Sequence, residues 1–418
     1  MSYGCAFDAE FLFCGKGRAR IEPRSIEATS LDATLMRAQI IALLVCLTLA
    51  APVGAQPASG SVAHYDVFAD RDVIHVLIGT GKKGAADIAL SHVRSADGGS
   101  SWSKPARVNR PSDRLSAHHP GENPQIVAMG DRLIVVWTQQ RPGAHRGGVL
   151  ATAVSDDGGA TWKAGNTPAP PKVGSQTFAE FATDGQTVHM AWLDSREGRQ
   201  GLRYARSSDR GETWSADRPL APRTCDCCWN SLAPLAEGGV AVMYRGDEPR
   251  DMMLLTSRSG DTWRNHGSIG QFNWQVRGCP HVGGALFTQG NAIHTLAWNG
   301  KDELFGLYYV GSTDAGNTWS RPRKLGYDDA RNADLAMSLL GELHAVWDES
   351  GTRSASIERA RSTDGGQNWS TPERIAAGAD VSYPRVAATR HGVAVFWLDG
   401  SLRRGASIMV NGKPLPTL

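Results

Sequence analysis

The octet Ser95-Ala96-Asp97-Gly98-Gly99-Ser100-Ser101-Trp102 decides the fold, because close copies of it recur along most of the chain. Further full copies begin at Ser155, Ser207, Ser312 and Ser362, and a shortened copy begins at Ser257. The first serine advances by 60, 52, 50, 55 and 50 residues from copy to copy. A period of about 50 residues with short β-rich segments is typical of propeller blades.

A second sequence element recurs with the same period as the octet. It is an apolar, β-patterned pentamer that usually ends in tryptophan, and it occurs at Leu133–Trp137, Val188–Trp192, Val240–Tyr244, His294–Trp298, Leu343–Trp347 and Val393–Trp397. Each unit therefore reads as two strands, a loop, a third strand, the octet and a fourth strand. In the second unit we predict the first three strands at Pro124–Met129, Leu133–Thr138 and Val149–Val154.

The octet has a structural interpretation. An aspartate can accept hydrogen bonds from the backbone of its own turn, and glycine supplies the positive φ that a tight turn requires. The tryptophan would cover the sheet edge between neighbouring blades. We therefore predict a structural role for the octet aspartates, which are Asp97, Asp157, Asp209, Asp314 and Asp364.

This octet, of the pattern S-x-D-x-G-x-T-W, resembles the Asp box of the sialidase superfamily. The resemblance implies an all-β propeller of four-stranded blades, with Asp-box hairpins between the third and fourth strands. Seven inner-strand units can be counted, so we predict seven blades. Six blades remain an alternative if the first and last units share one blade. Because a ring must close, residues 56–418 are predicted to be a single domain.

Residues 1–55 are predicted to be an N-terminal extension and signal peptide. Arg37 is followed by an apolar run over residues 40–51 and by small residues up to Ala55, and Met36 is the expected start of translation. Such a run is too short to span a membrane. We therefore expect cleavage near Ala55, a periplasmic or secreted protein, and no membrane insertion of the mature chain.

The charge balance excludes one class of partner. The chain carries 44 lysines and arginines against 42 aspartates and glutamates, a net charge of +2, without a basic tract. Nucleic acid is therefore not expected as a partner. The resemblance to the sialidase superfamily instead implies a glycan or another small molecule in the central funnel. We call the face that carries this funnel the funnel face; it is formed by the loops that enter the inner strands and those that join second and third strands.

Four cysteines remain in the predicted mature chain, and all lie in loops that enter consecutive inner strands. They are Cys225, Cys227, Cys228 and Cys279. Two interpretations stay open. In an oxidising compartment they could form two disulfides, for example Cys225 with Cys228 and Cys227 with Cys279. Alternatively, with His281, they could bind copper or zinc. Additional ligands from the funnel could be His118, His119 and Glu122.

The resemblance to sialidases also implies an active-site plan. Sialidases hold the substrate carboxylate with three arginines, and use an aspartate as acid/base and a glutamate-activated tyrosine as nucleophile. By placement on the funnel face, the candidates are Arg196, Arg245, Arg385, Asp194 and Tyr383. The Arg-Ile-Pro tripeptide of the first blade is absent, since Ala63–Val67 occupies that stretch. The alternative is that the arginines pair with Asp247, Asp348 or Asp399 and organise loops.

Three functions follow from these observations. The first is a glycan-directed propeller, either a glycoside hydrolase of the sialidase type or a carbohydrate-binding protein. The second is a copper- or zinc-binding protein centred on the cysteines. The third is a non-catalytic propeller that binds another protein. Glu180 and Asp334 are also expected on the funnel face, whereas the recurrent His75, His189, His294 and His344 are expected to pack between strands.

Overall fold

The computed structural model describes residues 61–81, 87–116, 121–141, 147–170, 174–350, 354–401 and 405–415. Residues 59–418 group as one compact unit. In the described ranges no helix is long and apolar enough to cross a membrane. The predicted signal peptide and cleavage site lie outside these ranges, as do His118 and His119, so those predictions stay predictions.

Seven four-stranded antiparallel sheets form the described part of the chain, each in sequence order from inner to outer strand. The first three blades comprise β1 (Val62–Asp70), β2 (Val73–Thr80), β3 (Ala89–Ser95), β4 (Ala106–Arg107); β5 (Gln125–Met129), β6 (Arg132–Gln140), β7 (Gly148–Ser155), β8 (Lys163–Ala164); β9 (Gln176–Thr183), β10 (Val188–Asp194), β11 (Gly201–Ser207) and β12 (Arg218–Ala221).

The remaining four blades follow the same plan. They comprise β13 (Ser231–Leu235), β14 (Gly239–Arg245), β15 (Met252–Ser257), β16 (Arg264–Ser268); β17 (Gly284–Gln289), β18 (Ala292–Asn299), β19 (Gly306–Ser312), β20 (Arg323–Leu325); β21 (Ala330–Met337), β22 (Leu343–Ser350), β23 (Ala355–Ser362), β24 (Glu373–Gly378); β25 (Val381–Thr389), β26 (Gly392–Ser401), β27 (Gly405–Val410) and β28 (Lys413–Pro414). Within the described residues, short 3-10 helices occur at Ala236–Gly238 and Asp302–Leu304.

Seven blades, not six, form the ring. The first and last units each supply all four strands of their own sheet, so no blade is shared. The seam between them is closed by packing: Val62 and Tyr65 belong to the same apolar cluster as Phe396 and Ile408. Across the seam the backbone N–H of Ala406 also donates to the Ser61 hydroxyl at 3.3 Å.

The core lies between blades rather than at the centre of the ring. Each of seven apolar clusters joins two neighbouring blades. A second strand such as β10 is buried along its whole length, whereas the outer β16 is exposed or half-buried. Burial on both faces explains why the second strands read as continuous apolar runs, as in the pentamers of the sequence.

The octets close the hairpins between third and fourth strands, as predicted. In the second blade, Asp157 accepts hydrogen bonds from the Thr161 N–H at 2.9 Å and the Thr161 hydroxyl at 2.6 Å. Ser155 donates to the same aspartate at 2.7 Å and accepts from the Gly159 N–H at 2.8 Å. The Trp162 ring meets His92 of the first blade edge-on at 5.6 Å, so the octet clips one blade to the preceding one.

Three of the four recurrent histidines of the second strands lie in buried pairs with residues of the third strand, whereas His344 lies 3.1 Å from Glu342, just before its own strand. The Nδ1 atom of His75 lies 3.0 Å from His92 Nε2. His189 and His294 lie 2.7 Å and 2.8 Å from the hydroxyls of Tyr204 and Tyr309. The Tyr309 hydroxyl in turn donates to Gly365 in the octet of the next blade at 3.2 Å. These histidines therefore belong to the packing between blades.

We expect Gly159→Ala to destabilise the protein by about 3 kcal/mol. Gly159 has a φ of 89°, and a Cβ there would lie 2.2 Å from the His92 ring. The left-handed backbone alone costs about 1–2 kcal/mol for a residue with a side chain, and the clash with a buried ring adds to it. Urea unfolding of the variant and the wild type measures the difference.

Gly185→Ala is the matched control. Gly185 has a φ of 92°, and no described atom lies within 4 Å of the position that a Cβ would take there. It should therefore lose only the backbone component, about 1–2 kcal/mol. Equal losses of stability in the two variants would show that the close contact with the His92 ring of the preceding blade adds nothing to the backbone cost.

Candidate functional site

Five polar side chains from five inner strands face the central channel. They form what we call the channel ring: Asp66, Gln125, Glu180, Asp334 and Arg385. Together with Trp229 and Asn230 they line a cavity of about 140 Å³. A volume of this size holds about five water molecules, so it can admit one functional group of a ligand but not a whole oligosaccharide.

Bulges in the inner strands position part of the ring. Phe178, Asn332 and Tyr383 have φ values of 51°, 46° and 52°, and each stands two residues before a member of the ring. The pairing of β21 with β22 and of β25 with β26 shifts register at these places. A bulge re-aims the side chains that follow it, and here it turns Asp334 and Arg385 towards the channel.

The carboxylates of the ring also tie the blades together. Asp66 Oδ2 accepts a hydrogen bond from the Ile126 N–H of the next inner strand at 2.9 Å. Asp334 Oδ2 accepts from the Val386 N–H at the same distance of 2.9 Å. With its amide oriented to satisfy both neighbours, Gln125 donates to Asp66 at 3.0 Å and to Glu180 at 3.2 Å. Asp66 and Glu180 therefore share one amide nitrogen.

Burial changes the acidity of these groups. It raises the pKa of Asp66 to about 6, against the opposing effect of the nearby Arg385 charge. Burial and the charge of Asp66 raise the pKa of Glu180 well above its ordinary value, and burial also raises the pKa of Asp334. Carboxyl groups in such a cavity can hold protons near neutral pH, which makes them able to donate as well as accept hydrogen bonds.

Arg385 is the cation of the channel. The residue is half-buried, and its guanidinium donates a described hydrogen bond to the Pro384 carbonyl at 3.4 Å. Its charge interacts with those of Asp334, Asp66 and Glu180. Among the described residues, none of these carboxylates lies at ion-pair distance from it. The planar donor edge of the guanidinium is thus not occupied by a direct ion pair.

The structure places Arg196 and Asp194 in a closed ion-pair network. Arg196 lies 2.6 Å from Asp194 and 2.7 Å from Asp217. Although burial acts to raise the pKa of Asp194, hydrogen bonds from Arg196 hold that pKa below its usual range. A general acid needs the opposite shift. Arg196 is likewise occupied by its two carboxylate partners.

Asp194 also belongs to a structural repeat that sequence reasoning missed. The Trp192 ring nitrogen donates to Asp194 at 3.0 Å, and Trp347 donates to Glu349 at 2.9 Å. In the second blade Trp137 donates to Gln139 at 3.0 Å. The shared pattern is tryptophan followed two residues later by an acidic or amide side chain. This recurrence is visible in the sequence and indicates a structural clamp at the end of the second strand.

Arg245 is turned into the protein rather than into the funnel. Its side chain is buried and donates to the carbonyl oxygens of Val282, Arg250 and Trp298 at 3.0, 2.6 and 3.1 Å. The guanidinium also stacks over the Trp274 ring at 5.5 Å from its centroid. Of the three arginines predicted on the funnel face, only Arg385 therefore presents its guanidinium to the channel.

Tyr383 is anchored by its backbone. Its N–H donates to Asp348 at 2.8 Å, and its carbonyl accepts from the Tyr65 hydroxyl. Burial, followed by the charge of Asp348, raises the pKa of the Tyr383 hydroxyl to about 12. A tyrosine nucleophile is helped by the opposite shift. The alternative partners that we considered for the arginines are used elsewhere: Asp348 binds Asn332 at 2.9 Å, and Asp247 pairs with Arg223 and Arg250.

The cysteines of the β12–β13 loop lie together. We call Cys225, Cys227 and Cys228 the thiol cluster; all three are buried, and their sulfur atoms lie within 4.8 Å of one another. Cys279 is exposed, and its thiol interacts with that of Cys227. The two cysteine-bearing loops are thus neighbours, as predicted from the sequence.

Asp66 and Gln125 are the members of the channel ring that sequence reasoning missed. Asp66 is the fifth residue of its inner strand, as Glu180, Asp334 and Arg385 are of theirs, whereas Gln125 is the first residue of β5. Superposing the units on their inner strands would have revealed a recurrent polar residue in otherwise apolar strands. Glu180 and Asp334 were expected on this face but without a role.

Comparison with known proteins supports the architecture. A sequence model of the family described as "BNR repeat-like domain" matches residues 62–269 and 187–396. Among curated proteins none matches the sequence. A solved ulvan lyase of polysaccharide lyase family PL25, bound to -[GlcA(1-4)Rha3S]-, is similar in structure with a TM-score of 0.57 and 13% identity, over 86% of this chain and 96% of that one.

Two further solved structures are more distant. The K499G mutant of the NanB sialidase from Streptococcus pneumoniae has a TM-score of 0.43 and 12% identity, over 82% of this chain and 66% of that one. The GH93 α-L-arabinofuranosidase of Fusarium graminearum, with arabinobiose, has a TM-score of 0.47 and 14% identity, over 70% and 90% of the two chains.

Proposed function

Because the chain belongs to the BNR repeat-like domain family of sialidase-like propellers, we propose that it is a glycan-directed protein whose channel takes an acidic group of a carbohydrate. The observation that carries this proposal is Arg385, a guanidinium without a direct ion pair among the described residues, in a cavity of about 140 Å³ at the ring axis. A planar guanidinium matches a carboxylate or sulfate through two parallel hydrogen bonds.

The carboxyl groups around Arg385 support the same proposal. Three ionised carboxylates would repel an anionic ligand, but burial raises the pKa of each of them. When protonated, Asp66 and Glu180 can donate hydrogen bonds to the ligand instead. The small cavity further implies that a terminal or pendant acidic group enters the channel, while the rest of the glycan lies on the funnel face.

The funnel face offers a surface for that remainder. Tyr327, in the loop before β21, is exposed over 75% of its surface. Arg331 lies over the Trp298 ring at 5.5 Å from its centroid. Aromatic and guanidinium planes of this kind suit the amphipathic faces of sugar rings, because one surface is apolar and its edge is polar.

We expect Arg385→Gln to weaken binding of an acidic oligosaccharide at least tenfold. Isothermal titration calorimetry with oligomers of -[GlcA(1-4)Rha3S]- and with sialosides measures the affinity. The first probe is chosen because it is the ligand in the structurally similar ulvan lyase. Affinity should rise as the pH falls from 8 to 5.5, because Asp66, with a pKa of about 6, takes up a proton over this range, and the raised pKa of Glu180 acts in the same direction. Asp66→Asn, which keeps an acceptor for the Ile126 N–H, should flatten that pH dependence.

Arg258→Gln is the control, since Arg258 is exposed and lies in the hairpin region of the opposite face. Equal affinity of Arg385→Gln and the wild type for every acidic probe would contradict the proposal. Binding that is stronger at pH 8 than at pH 5.5 would contradict the proposed role of the protonated carboxyls.

Hydrolysis is a second candidate activity, and one observation favours it. Asp66 and Glu180 share the Gln125 amide, and both have raised pKa values. Most glycoside hydrolases use a pair of carboxyl groups, one protonated as general acid and one ionised. Release of the fluorophore from a fluorogenic glycoside, lost in Glu180→Gln but retained in Arg258→Gln, would establish turnover. Binding without release would leave the glycan-binding proposal alone.

Export remains part of the proposal. Cleavage near Ala55 would place the propeller in the periplasm or outside the cell, where glycans are accessible. The N-terminal sequence of the protein recovered from the periplasm tests this: it should begin near Gln56.

A further inference from the structure

The thiol cluster has the dimensions of a metal site. The sulfur atoms of Cys225 and Cys228 lie 3.3 Å apart, and those of Cys225 and Cys227 lie 3.8 Å apart. Sulfurs that bind one tetrahedral zinc ion at 2.3 Å lie about 3.8 Å from each other. One ion could therefore contact all three sulfurs after small side-chain rotations.

The backbone presents the three thiols to one point. The Cys225 N–H donates to the Arg245 carbonyl at 3.0 Å and anchors the loop to the end of β14. The chain then turns at Asp226 and Cys227, which brings Cys228 back towards Cys225. The three side chains are only 1%, 2% and 1% exposed. Three soft ligands thus come from four consecutive residues in a nearly closed pocket.

Two arginines compensate the charge that such a site would develop. The thiolate is the metal-binding form of cysteine, and a neighbouring arginine stabilises it. The buried Arg245 interacts with the thiols of Cys228 and Cys225, and Arg250 interacts with that of Cys225. Three thiolates around a monovalent ion carry a net charge of −2, which these two guanidinium groups offset in part, since Arg250 also pairs with Asp247 at 3.4 Å.

A fourth ligand is available from the neighbouring loop. Cys279 precedes β17, is exposed, and interacts with Cys227. Because Cys279 lies at the open side of the cluster, a metal ion could bind either with it or without it. A three-coordinate Cu(I) ion needs only the buried cluster, whereas a tetrahedral Zn(II) ion needs Cys279 as well.

We propose that the thiol cluster, with Cys279 at its open side, binds one thiophilic d¹⁰ cation, either Cu(I) or Zn(II). Binding converts the thiols to thiolates and releases their protons to solvent; no oxidation or reduction takes place. The site lies beside the channel ring but shares none of its residues, so this inference does not depend on what the channel binds.

Metal analysis of the full chain tests the proposal. Protein purified anaerobically without reductant or chelator should contain about one equivalent of copper or zinc. Competition of the metal-free protein against chromophoric chelators, with Cu(I) and with Zn(II) separately, gives the two affinities. We expect Cys228→Ser to weaken both at least 100-fold. Cys279→Ser should weaken Zn(II) at least tenfold and change Cu(I) by less than threefold.

Two controls keep the result interpretable. Asp226→Asn removes a charge from the same loop without removing a thiol, and should change neither affinity by more than threefold. Should Cys228→Ser fail to fold, as judged by circular dichroism, Cys227→Ser replaces it with the same expectation. The proposal is overturned by metal affinity that survives both serine variants, or by two disulfides in anaerobically isolated, metal-free protein, found from the mass added on alkylation before and after reduction.

Discussion

Lowering the pH from 7 to 4.5 is expected to destabilise the propeller by several kcal/mol, because buried histidines must take up protons. Burial lowers the pKa of His75, His189 and His294 to about 4, and burial followed by the charge of His75 lowers that of His92 to about 3. These groups stay neutral in the folded protein at pH values where they are protonated in the unfolded chain.

The sign follows from linkage. A histidine whose pKa is lowered by folding contributes its full stability above its ordinary pKa of about 6.5, and this is lost as the pH falls towards the folded value. Each such histidine therefore costs on the order of 2 kcal/mol between pH 6.5 and 4.5. Asp66 and Asp348 oppose this trend, because burial raises the pKa of each to about 6.

The balance remains a net loss. These two carboxyls, together with Glu180 and Asp334, whose pKa values burial also raises, regain stability as they become protonated and offset part of the cost at the four histidines. Burial lowers the pKa values of His266 and His344 as well, which adds to the cost. A net loss on the order of 5 kcal/mol is comparable with the whole stability of many domains. Urea unfolding at pH 7.0, 5.5 and 4.5 measures this loss of stability. The octet aspartates do not contribute to it, because hydrogen bonds in their own turns keep their pKa values below this pH range.

A pair of variants checks the assignment. His294→Gln, which can keep a hydrogen bond to Tyr309, should reduce the loss between pH 7.0 and 4.5 by about 2 kcal/mol, the share of one histidine. His391→Gln, at an exposed position, should leave the pH dependence unchanged. An unfolding free energy that does not fall between pH 7.0 and 4.5 would refute the role of the buried histidines.

The second large effect is expected at Arg245. Replacing it with methionine should lower the free energy of unfolding by about 4 kcal/mol. The guanidinium satisfies carbonyl oxygens of Val282, Arg250 and Trp298, and a methionine would leave all three without this donor. A buried acceptor that loses its partner costs about 1–3 kcal/mol, and relaxation recovers part of the sum.

Arg258→Met is the matched control in the same blade. Arg258 is exposed, so its replacement should change stability by no more than about 0.5 kcal/mol. Urea unfolding at pH 7 compares the variants. A loss of less than about 1 kcal/mol in Arg245→Met would mean that water or neighbouring donors replace the arginine. Its hydrogen bonds to the carbonyls of Val282 and Trp298 would then not stabilise the contact between the fourth and fifth blades.

The repeat made the fold predictable from sequence. In most blades the octets mark the end of the third strand and the apolar pentamers mark the second. The first three strands predicted in the second blade agree with β5, β6 and β7 within two residues at each end. The octets report local hydrogen bonds, such as those of Asp157, that depend on few distant residues. Local patterns of this kind can therefore be recognised in a single sequence.

The site was less predictable because it depends on side-chain direction. Arg196, Arg245 and Arg385 are equally plausible in the sequence, but the first is held by carboxylates and the second by backbone carbonyls. What turns Arg385 to the axis is a bulge at Tyr383, which no residue type signals. The channel ring depends on how the inner strands of different blades align around the axis. Closure of the ring sets that alignment.

The seam of the ring has a consequence for how the chain can be rearranged. Because no sheet is shared between the first and last blades, every sheet is built from one continuous stretch of sequence. Ser61 contacts Ala406, and Leu415 packs in the same apolar cluster as Val62, so both ends of the described chain meet at one junction. A circular permutant that links these ends and opens the chain between any other two blades would retain all seven sheets intact.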